Sequence, residues 1–330
     1  MEKILLAHGG GGSQSAELTR RVFQRFLRDP LLLEMDDAAR LPASGQVFTT
    51  DSFVVRPLFF PGGDIGRLAV CGTVNDMAVM GAEPLYLSIG FIIEEGLDIA
   101  RLQKILASIA VACRQSGARI VCADTKVVEK GKADGLFINT AGIGRPAFRK
   151  PVHAGRVRPG DAVLLNGPLG LHGISVLTAR GEFGLQGSIR SDVAPLWGLV
   201  RTCRALDVPF MRDPTRGGLA QTLNELAQGR EFGVRIHEEE LPIPKKVAAV
   251  CDLLGFDPLH VANEGKVVMV VARRDAEKAL ALLRRHPLGR LARRIGEITA
   301  ADPGRVVMAT RTGSERIVMP PAGEILPRIC

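Results

Sequence analysis

Strand-like apolar runs and helical repeats alternate along almost the whole of this 330-residue chain. In the first half, the patterns predict strands at 47–55, 85–93, 120–123 and 136–143 and helices at 66–80 and 98–116, after an N-terminal helix that ends at 29–30. In the second half, they predict strands at 162–165, 233–236, 267–272, 294–299, 305–310 and 315–319 and helices at 172–180, 193–206, 216–228, 244–254 and 275–286. This alternation predicts an α+β fold with mixed α/β sheets.

A polar, basic stretch with three prolines, Pro146 to Pro159, separates the two halves. At about 150 residues per domain, the chain is long enough for two lobes. We therefore expect one domain over residues 1–150 and a second over residues 151–319. Residues 320–330 contain three prolines and one glycine, which disfavour a helix and predict an extended, mobile tail.

The composition excludes several classes of protein. The net charge of +8 is scattered, and 13 Phe, one Trp and one Tyr are too few for a stacking platform, so we expect no nucleic-acid partner. No run reaches the roughly 18 apolar residues of a membrane helix, and the N-terminus lacks a signal-peptide core. We therefore expect a cytoplasmic protein with no membrane association. The six cysteines form no C-x-x-C pair, so a zinc or iron–sulfur site has no support.

A run of four glycines, Gly9 to Gly12, directly precedes a helical pattern. Consecutive glycines let backbone N–H groups surround an anion, and a helix N-terminus adds a favourable field. The run lacks the lysine of a P-loop, and Gln14 stands where a dinucleotide loop needs its last glycine. A phosphate loop and a flexible linker are both open interpretations.

Four aspartates stand beside glycines, small polar residues or strand ends: Asp51, Asp76, Asp124 and Asp213. Asp76 lies within an apolar helical pattern, where a charge is costly unless it is paired or bound to a metal. Mg²⁺ usually binds one or two carboxylates together with substrate phosphates. Each aspartate alone could close a turn or cap a helix, but four of them favour a metal–phosphate site.

Residues 213–219, Asp-Pro-Thr-Arg-Gly-Gly-Leu, come directly before a helical pattern. Thr215 can cap that helix, while Arg216 and free backbone N–H groups can hold phosphate oxygens. Because Asp213 would repel a bare phosphate, the segment favours a metal–nucleotide site. A salt-bridged helix start is the alternative.

Lys126 and Glu264 are candidate acid–base groups. Lys126 stands two residues after Asp124 on a predicted strand, so the two side chains face the same side. Either Lys126 or Glu264 could equally be an ordinary surface charge.

The chain ends in a cysteine, Cys330, on the predicted tail. Nearby Arg328 favours its thiolate, whereas the terminal carboxylate opposes it. Extended, the tail spans roughly 30 Å, which is enough to reach a cleft. The remaining cysteines lie in apolar patterns and are expected to pack in the core.

These motifs together resemble the HypE family of hydrogenase-maturation carbamoyl dehydratases. The resemblance spans the chain and lies in His8–Ser13, Thr50–Val55, Gly72–Ala82, Ala123–Gly131, Asp213–Leu219 and Pro327–Cys330. The middle motifs are shared with a wider ATP-binding superfamily that includes aminoimidazole ribonucleotide synthetase, selenophosphate synthetase and thiamine-monophosphate kinase. The Pro-Arg-Ile-Cys ending is specific to the dehydratases.

The resemblance implies an N-terminal lobe whose strands pair with a second copy in a dimer barrel, an α+β C-terminal lobe over it, and ATP with Mg²⁺ in the cleft between them. By motif, it implies metal ligands at Asp51, Asp76, Asp124 and Asp213. We expect nucleotide or phosphate contacts at Gly9, Gly10, Gly11, Gly12, Asn75, Asn166, Thr215 and Gly217. The expected catalytic residues are Cys330, Lys126, Glu264 and Arg216.

The implied reaction is an ATP-dependent dehydration. A HypF-type carbamoyltransferase would load Cys330, and phosphorylation of the carbamoyl oxygen followed by loss of phosphate would leave a thiocyanate. The cyanide would pass to an iron-carrying HypC–HypD-type complex. The alternatives are a small-molecule kinase or selenophosphate-type synthetase on the same fold, or a non-catalytic nucleotide-binding scaffold.

Overall fold

The computed structural model describes residues 3–10, 12–181, 189–323, 326 and 329. Strands in this part of the chain are β1 (Ala39–Arg40), β2 (Val47–Phe53), β3 (Phe59–Phe60), β4 (Gly63–Asp64), β5 (Ala82–Glu94), β6 (Arg119–Val128), β7 (Leu136–Pro146), β8 (Ala162–Leu165), β9 (Phe210–Arg212), β10 (Gly233–His237), β11 (Val268–Val271), β12 (Arg293–Thr299), β13 (Val306–Ala309) and β14 (Glu315–Ile317). Its α-helices are α1 (Ser13–Leu18), α2 (Gln24–Phe26), α3 (Pro30–Leu33), α4 (Ile65–Val79), α5 (Ile99–Ser116), α6 (Leu171–Ala179), α7 (Trp197–Val200), α8 (Gly218–Ala227), α9 (Lys245–Leu254) and α10 (Ala276–Arg284).

The first half of the chain forms a five-stranded sheet with the strand order β1-β2-β7-β5-β6. All of its neighbouring strands are antiparallel except β5 and β6, which run parallel. A parallel pair needs a crossover connection, and helix α5 supplies it. The strand β6 ends this sheet, with a residue pattern that is exposed along most of its length.

Helix α4 is the central element of the molecule. Asp64 caps its first turn by accepting hydrogen bonds from the backbone N–H groups of Gly66 and Arg67 at 2.8 and 3.1 Å, and Gly81 follows its end with a φ of +72°. The helix contacts β2, β5 and β7 on one side and α5, α7 and β9 on others. Because it is surrounded, its sequence is apolar on nearly every side.

The second half forms a seven-stranded sheet with the order β14-β13-β10-β12-β8-β11-β9. Successive residues of β8 point to opposite faces of this sheet. Val163 and Leu165 join a core with α8, whereas Ala162 and Leu164 join a second core with α7 and α10. Both faces of the sheet are therefore buried, which explains why its central strands are continuous apolar runs.

The predicted fold class is confirmed: the structure has mixed sheets covered by helices. Several boundaries differ from the predicted ones. The helix expected over 193–206 is reduced to α7 and a 3-10 turn, and the short strand expected at 120–123 is the ten-residue β6. Pro30 does not only end a helix, because Asp29 caps a further short helix, α3, by accepting from the Leu31 N–H at 2.9 Å. None of the helices in the described ranges combines the length and apolar character that a membrane span requires.

The described part of the C-terminal segment lies against the body of the protein. The Ser13 N–H and hydroxyl, at the start of α1, donate to the carbonyls of Pro321 and Ala322 at 3.3 and 3.1 Å. Further on, Leu326 and Ile329 are buried in the core cluster that also contains residues of α4 and α6. The segment is non-helical where it is described, as predicted, but these residues are docked instead of projecting into solvent.

Candidate active site

Segments distant in sequence converge on one polar cavity of about 230 Å³. Strand β2 and helix α4 supply one part of its lining, and the segments that follow β9 and precede β11 supply another. The lining residues are Asp37, Thr50, Asp51, Gly72, Asp76, Asp213, Thr215, Arg216 and Glu264. Because five of them carry carboxylates, we call this cavity the acidic pocket.

The packing of β2 on α4 brings Asp51 and Asp76 to the acidic pocket. The Thr49 hydroxyl donates to Asp76 Oδ2 at 2.9 Å and so fixes that carboxylate. At Gly72, a Cβ would lie 2.8 Å from the ring of Phe53 and 3.7 Å from Asp51 Oδ2. Glycine at this position of α4 therefore allows the strand and the carboxylate to approach the helix.

The carboxylates of the acidic pocket raise one another's pKa. Burial raises the pKa of Asp76 and Glu264 well above their usual values, and neighbouring Asp213 raises both further. Burial, and after it the charge of Asp37, raises the pKa of Asp213 to about 8. Arg216 acts in the opposite direction on Glu264. The pocket therefore holds more negative charge than its own side chains neutralise, and a bound cation would relieve it.

These oxygen donors fit Mg²⁺. Three of the four predicted metal ligands, Asp51, Asp76 and Asp213, line the acidic pocket together. In the described ranges, no group of three or more His, Cys, Asp or Glu side chains is already arranged to hold a metal ion. Mg²⁺ commonly binds through only one or two carboxylates, with waters and phosphates completing its shell. The donor set therefore fits a cation that arrives with a phosphate ligand.

Two glycines shape the loop between β9 and α8. Gly217 and Gly218 have φ values of +76° and +60°, and a Cβ at Gly218 would lie 2.5 Å from the carbonyl oxygen of Leu259. Helix α8 begins at Gly218 with Gly217 as its N-cap and no side-chain cap. The prediction that Thr215 caps the helix is therefore wrong, because the N-cap is Gly217, two residues further along the chain. Thr215 instead forms a backbone turn, and its N–H donates to the carbonyl of Asp213 at 3.0 Å.

The segment before β11 holds Glu264 in place through its neighbour Asn263, which is completely buried. Asn263 Oδ1 accepts from the Gly170 N–H at 2.7 Å, and its Nδ2 donates to the Pro214 carbonyl at 3.0 Å. This amide links the loop before α6 to the loop before α8. Glu264 is consequently 2% exposed and still lines the acidic pocket.

Asn75 does not have the ligand-binding geometry that was expected of it. Its Nδ2 donates to the carbonyls of Ala194 and Glu264 at 3.1 and 3.3 Å, and its Oδ1 accepts from the Leu196 N–H at 2.8 Å. The side chain is fully buried. Its hydrogen-bonding groups are thus used by the protein backbone, and the residue joins α4 to the second half of the chain.

Asn166 is used in the same way, which corrects a second expected ligand contact. Its Nδ2 donates to the carbonyls of Gly265 and Leu288 at 3.2 and 3.0 Å, and its Oδ1 accepts from the Val267 N–H at 2.8 Å. It is 1% exposed. A buried amide satisfied by three backbone groups stabilises the local chain path.

Of the N-terminal glycine run, the described residues Gly9, Gly10 and Gly12 are absent from the acidic-pocket lining. Gly9 accepts a hydrogen bond from Arg216 Nη1 at 3.2 Å, so the run is connected to the pocket through this arginine. Gly12 lies against the C-terminal segment, since a Cβ there would be 2.4 Å from the carbonyl oxygen of Pro321. That segment, through its bonds to Ser13, also occupies the helix N-terminus at which a phosphate was expected. Close approach of two backbones is therefore what requires glycine at position 12.

Two predicted site residues, Gly11 and Cys330, lie outside the described residues. Gly10 is buried but is likewise not among the residues that line the acidic pocket.

Asp124 and Lys126 form an ion pair of their own. Lys126 Nζ lies 3.0 Å from Asp124 Oδ2, which confirms that the two side chains share a side of the strand. Both side chains are 70% exposed on the edge strand β6. Hydrogen bonds from Lys126 and the Thr125 N–H lower the pKa of Asp124. In a single chain, this pair is separate from the acidic pocket.

The sheet register explains that separation. Asp124 lies opposite Gly90, which lies opposite Asn139, which in turn lies opposite Ser52. Residues opposite each other share a face of the sheet, whereas Asp51, the neighbour of Ser52, points to the other face. In addition, two strands stand between β2 and β6, a separation of roughly 14 Å at about 4.8 Å per strand. The sequence pattern alone could not indicate how far Asp124 lies from Asp51, or that the two side chains lie on opposite faces of the sheet.

Asp37 belongs to the acidic pocket but was missed from the sequence. Its carboxylate lies 3.0 Å from Arg212 Nε, and Arg212 also holds Glu225 at 2.7 Å. Burial raises the pKa of Asp37, although Arg212 opposes this. The adjacent pair Asp36-Asp37 was the available signal, but it has no glycine or motif beside it.

Family models agree with the division into two sheets. Residues 35–145 match the model described as the N-terminal domain of AIR synthase related proteins, and residues 158–309 match the model for their C-terminal domain. Together with the pocket between these parts, this defines an AIR synthase-related protein. The fold is also similar to that of thiamine monophosphate kinase from Aquifex aeolicus, with a TM-score of 0.66 at 17% identity over 89% of this chain and 96% of that chain.

Curated relatives define the family more narrowly. The chain is 48% identical to carbamoyl dehydratase HypE of Rhizobium leguminosarum bv. viciae, over 99% of this chain and 95% of the relative. It is 45% identical to carbamoyl dehydratase HypE of Escherichia coli K12, over the full length of both. The chain therefore belongs to the HypE family of carbamoyl dehydratases.

Two solved structures of the family have closely similar folds. A HypE–HypF complex contains a chain with a TM-score of 0.88 and 47% identity, covering 92% of this chain and 99% of that one. The hydrogenase maturation protein HypE in complex with ATP has a TM-score of 0.83 and 44% identity, covering 99% of this chain and all of that one.

Proposed function

We propose that this protein dehydrates an S-carbamoyl group on its own Cys330, with ATP as the dehydrating reagent, and so supplies cyanide for the maturation of [NiFe]-hydrogenase. The observation that carries this proposal is the position of the C-terminal segment. Ile329, the residue before Cys330, is buried in the core. The described end of the chain therefore lies within the same protein body as the acidic pocket.

The acidic pocket is the proposed site for the phosphates of ATP. Its volume of about 230 Å³ is below the roughly 300–1,000 Å³ of sites that enclose a whole small ligand. The pocket therefore suits the phosphate end of a nucleotide whose base extends outside it. Arg216 and the backbone N–H of Gly217 are the proposed phosphate donors. A relative of 44% identity has been solved in complex with ATP, which supports this assignment.

Mg²⁺ would be held by one or two of the carboxylates of Asp51, Asp76 and Asp213, which β2, α4 and the loop after β9 contribute to the acidic pocket. When bound, it would neutralise the charge that these side chains and the phosphates bring together. Burial raises the pKa of all three carboxylates, and neighbouring carboxylates raise those of Asp76 and Asp213 further, which is the feature of this chain that calls for a cation.

The proposed reaction has two steps. The carbamoyl oxygen on Cys330 attacks the γ-phosphorus of ATP, the bond to ADP breaks, and the nitrogen loses one proton. The C–O bond then breaks, inorganic phosphate leaves with the oxygen, and the nitrogen loses its second proton to give a thiocyanate. The products are the thiocyanate, ADP and phosphate, so the elements of water end in the phosphate and the released protons. Placing the tail beside the phosphates makes the first step effectively unimolecular.

Glu264 is the proposed proton acceptor. It lines the acidic pocket, is 2% exposed, and burial raises its pKa well above the usual value. The elevated pKa makes the carboxylate of Glu264 a stronger base than an ordinary glutamate, so that once ionised it can accept a proton from the amide nitrogen. Arg216, on the same pocket, would stabilise the charge on the transferring phosphoryl group.

The protein would work as a homodimer joined through the first sheet. Strand β6 is an edge whose side chains are exposed on both faces, including Val121 at 58% and Val127 at 67%. Apolar residues such as Phe48, Tyr86 and Ile92 lie half-exposed on the face of the sheet opposite α4. A long, apolar edge strand is normally paired or covered. A second copy that pairs at β6 would cover both the edge and this face.

Dimerisation would give Asp124 and Lys126 a function that they do not have in one chain. At the edge, this ion pair would face the partner molecule, so we assign it to the acidic pocket of the partner. A HypF-type carbamoyltransferase is the proposed donor to Cys330, and the family complex of HypE with HypF supports this. An iron-carrying HypC–HypD-type complex is the proposed acceptor of the cyanide.

ATP turnover tests the proposal. With a carbamoylated tail, the protein should release ADP and phosphate in equal amounts, about one of each per tail. Replacing Cys330 by alanine should remove this tail-dependent hydrolysis and leave ATP binding unchanged. ATP hydrolysis that is equally fast without the carbamoyl group would contradict the proposal.

A further inference from the structure

The ring of His172 binds the C-terminal segment directly. His172 lies in α6 and is completely buried, and its ring is nearly perpendicular to that of Phe60, with 5.3 Å between the two ring centroids. Its Nε2 lies 2.7 Å from the carbonyl oxygen of Ile329, and its Nδ1 lies 2.8 Å from the hydroxyl of Ser191. The described residue nearest to Cys330 in the chain is therefore bound by a specific polar group of the core.

The partners of the ring determine its tautomer. A carbonyl oxygen only accepts, so Nε2 carries the proton and donates it to Ile329. Nδ1 then accepts from the hydroxyl of Ser191, whose oxygen in turn accepts from the Val193 N–H at 3.1 Å. Burial lowers the pKa of His172, which keeps this neutral form. Both ring nitrogens are satisfied only while the carbonyl of Ile329 is present.

The segment that orients His172 also reaches Glu264. Asp192, the neighbour of Ser191, forms a buried ion pair with Lys266 at 2.8 Å and accepts from the backbone N–H of Glu264 at 3.3 Å. Two residues further on, the Ala194 N–H donates to the carbonyl of Glu264 at 3.4 Å. One short segment thus contacts the ring that binds the tail and the backbone of the proposed base.

The apolar contacts near His172 bury the tail, but they do not determine which backbone carbonyl of the tail lies at the ring. Leu326 is buried in the same core, and a Cβ at Gly173 would lie 3.5 Å from Leu326 Cδ1. Apolar burial is non-directional, whereas a hydrogen bond specifies one carbonyl. Leu326 and Ile329 would therefore hold the tail in the core, and His172 would select the position of the residue that follows.

We propose that His172 is a positioning residue that docks the tail through the Ile329 carbonyl and thereby sets Cys330 at the reacting phosphate. This inference rests on the proposed function for its catalytic consequence, but the docking itself does not depend on activity. Since the bond is to a backbone carbonyl, the free and the carbamoylated tail dock in the same way. Loading by a separate transferase requires the tail to leave, so His172 favours dehydration and opposes loading.

The test uses His172→Leu and His172→Gln in the full-length protein. The leucine variant loses both hydrogen bonds, whereas glutamine retains a donor for Ile329 and an acceptor for Ser191. His260→Leu is the matched control, because His260 Nε2 contacts the Met319 carbonyl at 2.9 Å at an exposed site before the docked segment. Alkylation of Cys330 by a maleimide is followed by mass measurement of the C-terminal peptide.

His172→Leu should raise the alkylation rate of Cys330 at least about fivefold, since undocked segments react through their open state. His172→Gln and His260→Leu should stay near the wild-type rate. With a pre-carbamoylated tail and the same variants, His172→Leu should lower kcat for dehydration about tenfold, leave KM for ATP unchanged, and leave carbamoyl loading undiminished. A folded leucine variant with wild-type alkylation would overturn the proposal. If the alkylation rates show that the tail docks through His172 but the wild-type protein does not dehydrate its carbamoylated tail, the proposed function is contradicted and the docking is not.

A measurement on the wild-type ring covers the case in which His172→Leu does not fold. The ¹⁵N signals of His172 should show a protonated Nε2 with slow hydrogen exchange in the full-length chain. In a chain that ends at Leu326, that proton should exchange rapidly. An unchanged Nε2 signal after truncation would show that the ring does not bind the tail.

Discussion

The side-chain amide of Asn75 donates to the backbone carbonyl of Glu264 at 3.3 Å and so joins the central helix to the loop that carries the proposed base. The same amide holds the segment before α7 through Ala194 and Leu196. Residues from both halves of the chain can form one acidic pocket because this buried contact fixes their relative position.

Replacing Asn75 by alanine should therefore destabilise the protein and not simply weaken nucleotide binding. The change removes the partner of the Leu196 N–H and of the Ala194 carbonyl and leaves the Glu264 carbonyl only its long bond at 3.4 Å, so we expect a loss of about 3 kcal/mol in the free energy of unfolding. Urea denaturation measures it. Gln115→Ala, which removes an exposed hydrogen bond to Arg67, should cost less than about 0.5 kcal/mol. If both substitutions lower the free energy of unfolding by the same small amount, the structural role of Asn75 is contradicted.

The elevated pKa of Asp213, about 8, predicts that Mg²⁺ binding depends on pH. In the metal-free protein this carboxyl holds a proton at neutral pH, and the cation must displace it. We expect Mg²⁺ affinity to rise between about pH 6 and 8 and to level off above, with proton release on binding. Calorimetry in buffers of different ionisation enthalpy measures both quantities. An affinity that does not change across this range would contradict the assignment.

The same shift predicts how the stability of the metal-free protein changes with pH. The folded state holds the Asp213 proton up to about pH 8, whereas the unfolded chain releases it near the usual aspartate value. The folded state thus binds more protons between these two values, so its stability falls as pH rises through them. Asp213→Asn should make this decline shallower in thermal melts performed with a chelator, and the part that remains belongs to Asp76 and Glu264, whose pKa values are also raised. If the melting temperatures of the wild-type protein and the variant depend on pH in the same way, the elevated pKa of Asp213 is contradicted.

Mixed dimers test whether Asp124 acts on the partner's pocket. Asp124→Asn and Asp213→Asn should each be inactive as homodimers. In a mixed dimer, one site receives both wild-type residues, so random mixing should restore about one quarter of wild-type activity. If both residues act within one chain, mixing restores nothing. Size-exclusion chromatography of each variant confirms that the dimer persists.

Sequence patterns predicted the elements well because helical and strand periodicities are local. They also identified Asp51, Asp76, Asp213 and Glu264, which the structure places in one pocket. Motifs alone could not distinguish a ligand-binding asparagine from one whose side chain is buried and bonded to the backbone. Asn75 resembles a ligand contact in sequence, but only its backbone partners, which are more than a hundred residues away, reveal its structural role.

Strand alternation and register explain the other differences. Asp124 has the sequence context of a metal ligand, yet its face of the sheet depends on pairings through β5 and β7. The sequence did not identify His172, because a histidine in an apolar helical pattern is common. Its function becomes evident only from its contact with the carbonyl of Ile329 in the structure. Asp37 reaches the pocket through its contact with Arg212, a pairing that sequence separation conceals.

The central claim is that the tail cysteine carries the substrate, and the mass of the C-terminal peptide tests it most directly. The protein is loaded with a carbamoyl group by a HypF-type transferase, then treated with ATP and Mg²⁺, and the peptide that contains Cys330 is weighed before and after. We predict a carbamoyl adduct that then loses the mass of one water only when ATP and Mg²⁺ are present, with Cys330→Ala as the unloaded control. A carbamoylated peptide whose mass stays constant in the presence of MgATP would contradict the account.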